Sequence, residues 1–220
     1  MTDDSTAAPG REPARGLQRD PDRTRAAILA AATEEFAAKG IGGARVDAIA
    51  QRAGANKRML YHYFGDKEGL YIAVLENAYQ QIRDAERSLD LGARTPEEGL
   101  RELALFTWRY FRAHPEFLSL LGTENLHKAA HVRKSTRIRE MQTHLQTELA
   151  SVLRRGEDSG AFVVGNDPIQ VYLTIASLCF FYLSNQHTLT AVFGRELAHP
   201  RNLADWEEHV VRVTLASVRA

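Results

Sequence analysis

From Arg45 to Leu70 the chain reads RVDAIAQRAGANKRMLYHYFGDKEGL, and few folds accommodate that order of residues. Val46, Ile49 and Ala50 recur at helical spacing, Gly54 breaks the helix, and Asn56 is a natural N-cap for a second helix over Lys57 to Tyr63. Leu60 and Phe64 are the inward anchors of that second helix. Ala50 falls where the two helices approach closely, which favours a side chain no larger than methyl. The spacing of Ala50, Gly54 and Leu60 is that of a helix-turn-helix unit. An amphipathic helix precedes it, with Ile28, Leu29, Ala32 and Phe36 on one face, Asp22 or Thr24 as its cap, and Lys39-Gly40 as its stop.

The residue types on the second helix suit DNA. The chain as a whole has 28 basic and 28 acidic residues, so attraction to a polyanion must come from local asymmetry. Between Arg52 and Lys67, the cations Arg52, Lys57, Arg58 and Lys67 oppose only Asp66. In a major groove Lys57 and Arg58 reach guanine O6 and N7 or a phosphate, and Met59 offers apolar contact to a thymine methyl. Tyr61, His62 and Tyr63 supply hydrogen bonds to phosphate oxygens, although in so short a stretch at least one of the three belongs to the core. Asp66 caps the next helix and places Lys67 in its first turn, an unfavourable position for the helix dipole that a bound phosphate would compensate. Glu34 and Glu35 are expected on a solvated face.

Other classes find little support. Cys179 is the single cysteine and sits in the apolar run IASLCFFYL, which excludes an intrachain disulfide or a zinc cluster. No GxSxG or glycine-rich phosphate loop appears, and the glycines of Gly40 to Gly43 precede no βαβ unit, so no enzyme and no cofactor are expected. No run approaches the roughly 18 apolar residues of a membrane span. Residues 1–20, rich in Pro, Gly and charge, read as a disordered arm of a cytoplasmic protein, with Arg11, Arg15 and Arg19 available to a minor groove.

The remainder predicts an all-α fold, with a helix-turn-helix DNA-binding head over residues 21–68 and a larger helical ligand-binding and dimerisation body over 69–220. A long connecting helix runs from Leu70 to about Leu89, and Thr95-Pro96-Glu97-Glu98 opens a helix through Leu100, Leu103 and Phe111. His114-Pro115 stops it and starts another, and a charged helix follows from about His131 to Arg155. Trp108, Phe111, Phe117, Leu118, Leu121, Asn125, His127, Tyr172 and Phe180 are the candidate lining of a small-molecule cavity, apolar with a few polar points. Glu124, His127 and His131 fall at i, i+3 and i+7; read as one helical face they permit a metal ion, but such spacing is common in polar helices and no metal is assigned. Asp167-Pro168 begins a helix apolar on nearly every side, which needs cover on both faces, and Asp205 caps the last one.

On these residues the chain resembles the TetR family of transcriptional regulators. The resemblance is carried by the opening amphipathic helix and by VDAIAQRAGANKRMLYHYFGDKEGLYIAVL, with its IA pair, alanine-glycine turn, LYxxF recognition segment and KExL start to the following helix. It covers about residues 22 to 75. It implies DNA contacts at Asn56, Lys57, Arg58 and Met59, phosphate contacts at Tyr61, His62, Tyr63 and Lys67, and Arg45 where many members carry a hydroxyl residue. It further implies a homodimer through the last two helices that binds a palindromic operator as a repressor and is released by a small apolar or amphipathic molecule. The competing readings are a helical protein-interaction module and a DNA binder without ligand control.

Overall fold

The computed structural model describes residues 21–219, in which the regular structure is all helical. Nine α-helices follow in order among these residues: α1 Pro21–Gly43, α2 Val46–Arg52, α3 Lys57–Phe64, α4 Lys67–Arg87, α5 Pro96–Ala113, α6 Pro115–Leu126, α7 Thr136–Asp158, α8 Pro168–Phe193 and α9 Pro200–Val218. The arm before Pro21, with Arg11, Arg15 and Arg19, lies outside the described residues.

The head forms as its local chemistry dictates. Ile28, Leu29, Ala31, Ala32 and Phe36 turn inward from α1, whose regular winding breaks at Gly40 (φ 63°, ψ 173°). The Asn56 side chain accepts a hydrogen bond from the Met59 N–H at 2.9 Å and starts α3. Gly65, at φ 79°, ends that helix, and Asp66 accepts from the Gly69 N–H at 2.7 Å to start α4. Along α4, Leu70, Tyr71, Val74, Leu75, Ala78 and Ile82 are buried, so one helix serves the head at its start and the body along its length. Each fully buried side chain of this size contributes about 1.5–3 kcal/mol.

Helix α1 of the head packs on α6 and α4, and in the body α5 packs on α9, α8 and α7, and α4 on α7. Thr95 caps α5 as expected, and with Glu98 it forms a capping box. Three boundaries differ from the sequence reading. After Leu126 the chain leaves the helix, passes through Lys128 and Ala129 with φ of 56° and 57°, and makes a 3₁₀ turn over Val132–Lys134. The following helix therefore starts at Thr136, capped by Ser135, and not at His131. The last helix starts at Pro200 with His199 as its cap, five residues ahead of Asp205, because proline suits a first helical turn.

Helix α8 buries Val171, Ile175, Cys179 and Tyr182 against its own chain. Ile169, Leu173 and Phe181, spaced by four and eight residues along its other side, are 50%, 57% and 59% exposed. Tyr182 packs between Trp108 and Trp206, with ring centroids 5.6 and 4.6 Å away. Burial pushes the Cys179 thiol up to about 12, which makes it an inert core residue. Among the described residues no helix is long and apolar enough to cross a membrane.

Gly69 marks the tightest corner of the head. A Cβ there would lie 2.2 Å from the Phe64 carbonyl oxygen, so the α3–α4 turn admits no side chain without moving backbone. Gly69→Ala should lower the unfolding free energy by about 1–3 kcal/mol in urea titrations at fixed protein concentration. An unchanged midpoint would show that the corner relaxes freely.

Candidate nucleic-acid interface and cavity

The turn between α2 and α3 runs through Gly54 at φ 61° and sets α3 across α2. From the outer side of α3 the side chains of Lys57, Arg58, Tyr61 and His62 are exposed, with Asn56 exposed at its start and Arg45 at the start of α2. Met59 and Tyr63 are half-buried and pack on the core, so Tyr63 is the inward member of the aromatic trio. Lys67 is half-buried in the first turn of α4.

The cationic excess is smaller than the linear count suggests. Lys57 lies 2.5 Å from Asp47 and Arg52 lies 3.2 Å from Glu34, both acids outside the window counted in the sequence. Arg58 and Lys67 have no ion-pair partner among the described residues. Exposed pairs such as Lys57–Asp47 contribute only about 0–1 kcal/mol, so a phosphate can displace the carboxylate.

Glu35 corrects the expectation of a solvated face: it is 2% exposed. Its Oε1 accepts from Lys39 Nζ at 2.8 Å and from the Arg45 backbone N–H at 3.2 Å, and its other oxygen lies 4.0 Å from the Arg52 guanidinium. Arg45 itself supplies no side-chain cap to α2, so a carboxylate from α1 holds that helix start. The hydrogen bond from Lys39 holds the Glu35 carboxyl below the usual carboxylate range against the opposing effect of burial, with help from the Arg45 N–H. Glutamate beside glutamate resembles a surface pair in sequence, and the partner that buries it is a backbone group ten residues on.

In the body, α4, α5, α6, α7 and α8 line a cavity of about 600 Å³ that is open to solvent on one side. Phe111, Phe117, Leu121, Asn125, Tyr172 and Phe180 line it; Trp108, Leu118 and His127 do not. Trp108 is fully buried against Tyr182. Leu118 is rotated by about 100° from Phe117 and belongs to the core. His127 lies beyond the end of α6, exposed, with Nδ1 2.8 Å from the Thr123 carbonyl oxygen.

Sequence reasoning missed the walls from α4 and α7, among them Tyr79, Arg83, Ser135, Ile138, Arg139 and Gln142, together with Arg133 in the turn before α7. The available signal was Arg83 within an apolar stripe of α4. Its guanidinium is 3% exposed, donates from Nη2 to the Tyr172 hydroxyl at 3.1 Å, and lies 2.7 Å from the Glu86 carboxylate. Burial pushes the Glu86 carboxyl up to about 7, opposed by the charge of Arg83.

Glu124, His127 and His131 share no helical face, because α6 ends at Leu126. Glu124 instead organises the turn after it. Its carboxylate accepts from the backbone N–H groups of His131 and Val132 at 3.1 and 3.0 Å and lies 2.7 Å from His131 Nδ1. The His131 ring packs edge-on against Tyr71 and Tyr71 against Phe36 of α1, each at 4.9 Å between centroids. Among the described residues no group of three His, Cys, Asp or Glu is placed to hold a metal ion.

Residues 28–74 match the model for bacterial regulatory proteins of the tetR family, and residues 96–214 match the tetracyclin repressor-like C-terminal domain. Over 198 residues, 90% of this chain and 93% of its relative, the sequence is 41% identical to the HTH-type transcriptional repressor NicS of Pseudomonas putida. The solved structure of the transcriptional regulator SCO4942 from Streptomyces coelicolor superposes with a TM-score of 0.67 at 26% identity, over 89% of this chain and 98% of that one. The transcriptional regulator FadR from Bacillus subtilis, solved in complex with stearoyl-CoA, shares the fold at a TM-score of 0.63 and 18% identity, over 89% of this chain and all of its own.

Glu35 generates a pH prediction. Its folded value lies below its unfolded one, so its contribution is present above the unfolded value of about 4.3 and is lost as pH falls through the folded value. Glu35→Gln should lower the thermal midpoint at neutral pH by several degrees, with the gap to wild type closing in acid. A gap that is constant across pH 7 to 3 in circular-dichroism melts would show that the charge of Glu35 contributes nothing.

Proposed function

The chain belongs to the TetR family of transcriptional regulators, and from that premise we propose that it is a ligand-responsive repressor that binds a palindromic operator as a homodimer. Members of this family act by binding DNA, not by catalysis. The observation that carries the reading is that α4 belongs to both halves. Its first turn adjoins the exposed face of α3, and its Tyr79 and Arg83 line the cavity.

In this reading residues 21–68 are the DNA-binding domain and residues 69–220 the ligand-binding and dimerisation domain. Arg58, and Lys57 once freed from Asp47, address base edges together with Asn56 and Met59; Arg45, Tyr61, His62 and Lys67 address phosphates. Two copies pair through α8 and α9. The exposed apolar side chains of Ile169 and Phe181 support this, since a second copy would remove that surface from water. Paired heads read two half-sites one helical turn apart or a multiple of it. A small apolar or amphipathic effector enters the cavity among Phe111, Phe117, Leu121, Asn125, Tyr172 and Phe180, displaces α4, and alters the separation of the heads. Val132 lines the same cavity and abuts the Glu124–His131 cluster, which offers a second route through Tyr71 to α1.

Selection of bound duplexes from a random DNA pool at fixed salt tests the reading, and an enriched inverted repeat is expected. Arg58→Ala or Lys57→Ala should then change base preference at defined positions, at about 1–3 kcal/mol per lost bidentate contact. Tyr61→Phe should weaken all sequences alike by about 1 kcal/mol or less. Absence of enrichment above a salt-sensitive background would overturn the proposal in favour of an interaction module or a non-specific binder.

A further inference from the structure

The cavity carries a charge asymmetry that an apolar effector alone does not explain. Three arginines, Arg83, Arg133 and Arg139, are among the residues that line it, and no acidic residue is. The chain as a whole balances its basic and acidic residues, so this is a local departure. Arg133 and Arg139 come from different segments, the 3₁₀ turn and α7, and line the same cavity; both are exposed, and neither has an ion-pair partner among the described residues. Arg83 is 3% exposed and has Glu86 as its one close carboxylate, and its Nε finds no hydrogen-bond partner among the described residues. A buried guanidinium with an unused donor is costly.

We propose that this cavity is built for an oxyanion carried on an apolar body, the anion held by the arginines and the body lying against Phe111, Phe117 and Phe180. The proposal rests on the reading of the cavity as the effector site and narrows it to a ligand class. Guanidinium groups offer paired N–H donors that match a carboxylate or a phosphate, and low-dielectric walls strengthen that attraction relative to water. The aromatic walls favour a flat or hydrocarbon body.

The test uses the full-length protein and isothermal titration at fixed, moderate salt with three probes of one shape: naphthoate, naphthyl phosphate and the neutral naphthamide. At least one of the two anions should bind about tenfold or more tightly than the amide, as loss of a charge-assisted hydrogen bond predicts. The ratio between the two anions identifies a carboxylate or a phosphate ester as the better source. In Arg133→Gln/Arg139→Gln the advantage of the anion should shrink towards unity while the amide is bound as before. Arg83→Met/Glu86→Met removes the buried pair without stranding either charge and should likewise remove the preference. Circular dichroism and binding to the selected operator report whether each variant is folded. Equal binding of the anions and the amide by the wild-type protein would overturn the anion assignment and leave the effector reading standing. No binding of any probe by a protein that still binds its operator would overturn both.

Discussion

Burial along one side of α4 is the constraint on which the other arrangements depend. Leu70, Tyr71, Val74 and Ile82 are at most 1% exposed, and Tyr71 is wedged between Phe36 of α1 and His131 of the turn before α7. A helix of this length spans about 30 Å, so it reaches from the corner beneath α3 to the far wall of the cavity without a joint. A close-packed interior deforms by switching between packings rather than by yielding smoothly. A change at Tyr79 or Arg83 therefore reaches the head as a rigid displacement of α4, or does not reach it.

Much of the head was legible in the sequence because its determinants are local. Asn56, Gly54 and Asp66 act within four residues of themselves, as Thr95 does in the body, and each does what its side chain or its lack of one allows. The features that sequence reasoning missed depend on partners distant along the chain. Glu35 reads as solvated in sequence because one of the groups that bury it is a backbone N–H ten residues on. The pairing of Lys57 and Arg52 is hidden in sequence because Asp47 and Glu34 lie outside the local window. The break after α6 carried no glycine or proline, since Lys128 and Ala129 themselves take the left-handed conformation, held by the carboxylate of Glu124 across the turn. Trp108 and Phe111 sit three residues apart on α5, yet one packs into the core and the other lines the cavity.

The buried charges fall at seams. Glu35 joins α1 to the start of α2, Glu124 joins the end of α6 to the turn before α7, and Arg83 with Glu86 faces α8 across the cavity through Tyr172. Arg83 and Glu86 lie within the apolar stripe of α4, and replacement of such a buried pair by hydrocarbon is often neutral or stabilising in other folds. What charge provides at a seam is direction, since a carboxylate that accepts from two backbone N–H groups tolerates one docking geometry where a methyl group tolerates many. That selectivity suits a molecule whose two halves must keep a defined relation.

The same seams set how large a response an effector can produce. A hundredfold change in operator affinity requires about 2.7 kcal/mol of difference in effector binding between two positions of α4, and a ligand bound equally in both shifts nothing however tightly it is held. One hydrogen bond to a charged group is worth about 1.5–3 kcal/mol when it is made in one state and not in the other. Arg83 stands on α4 itself, whereas Arg133 and Arg139 stand on the turn and α7 that face it. A ligand that bridges these groups measures the distance between α4 and its neighbours, and only a bridge of that kind, not contact with one wall, distinguishes the two positions.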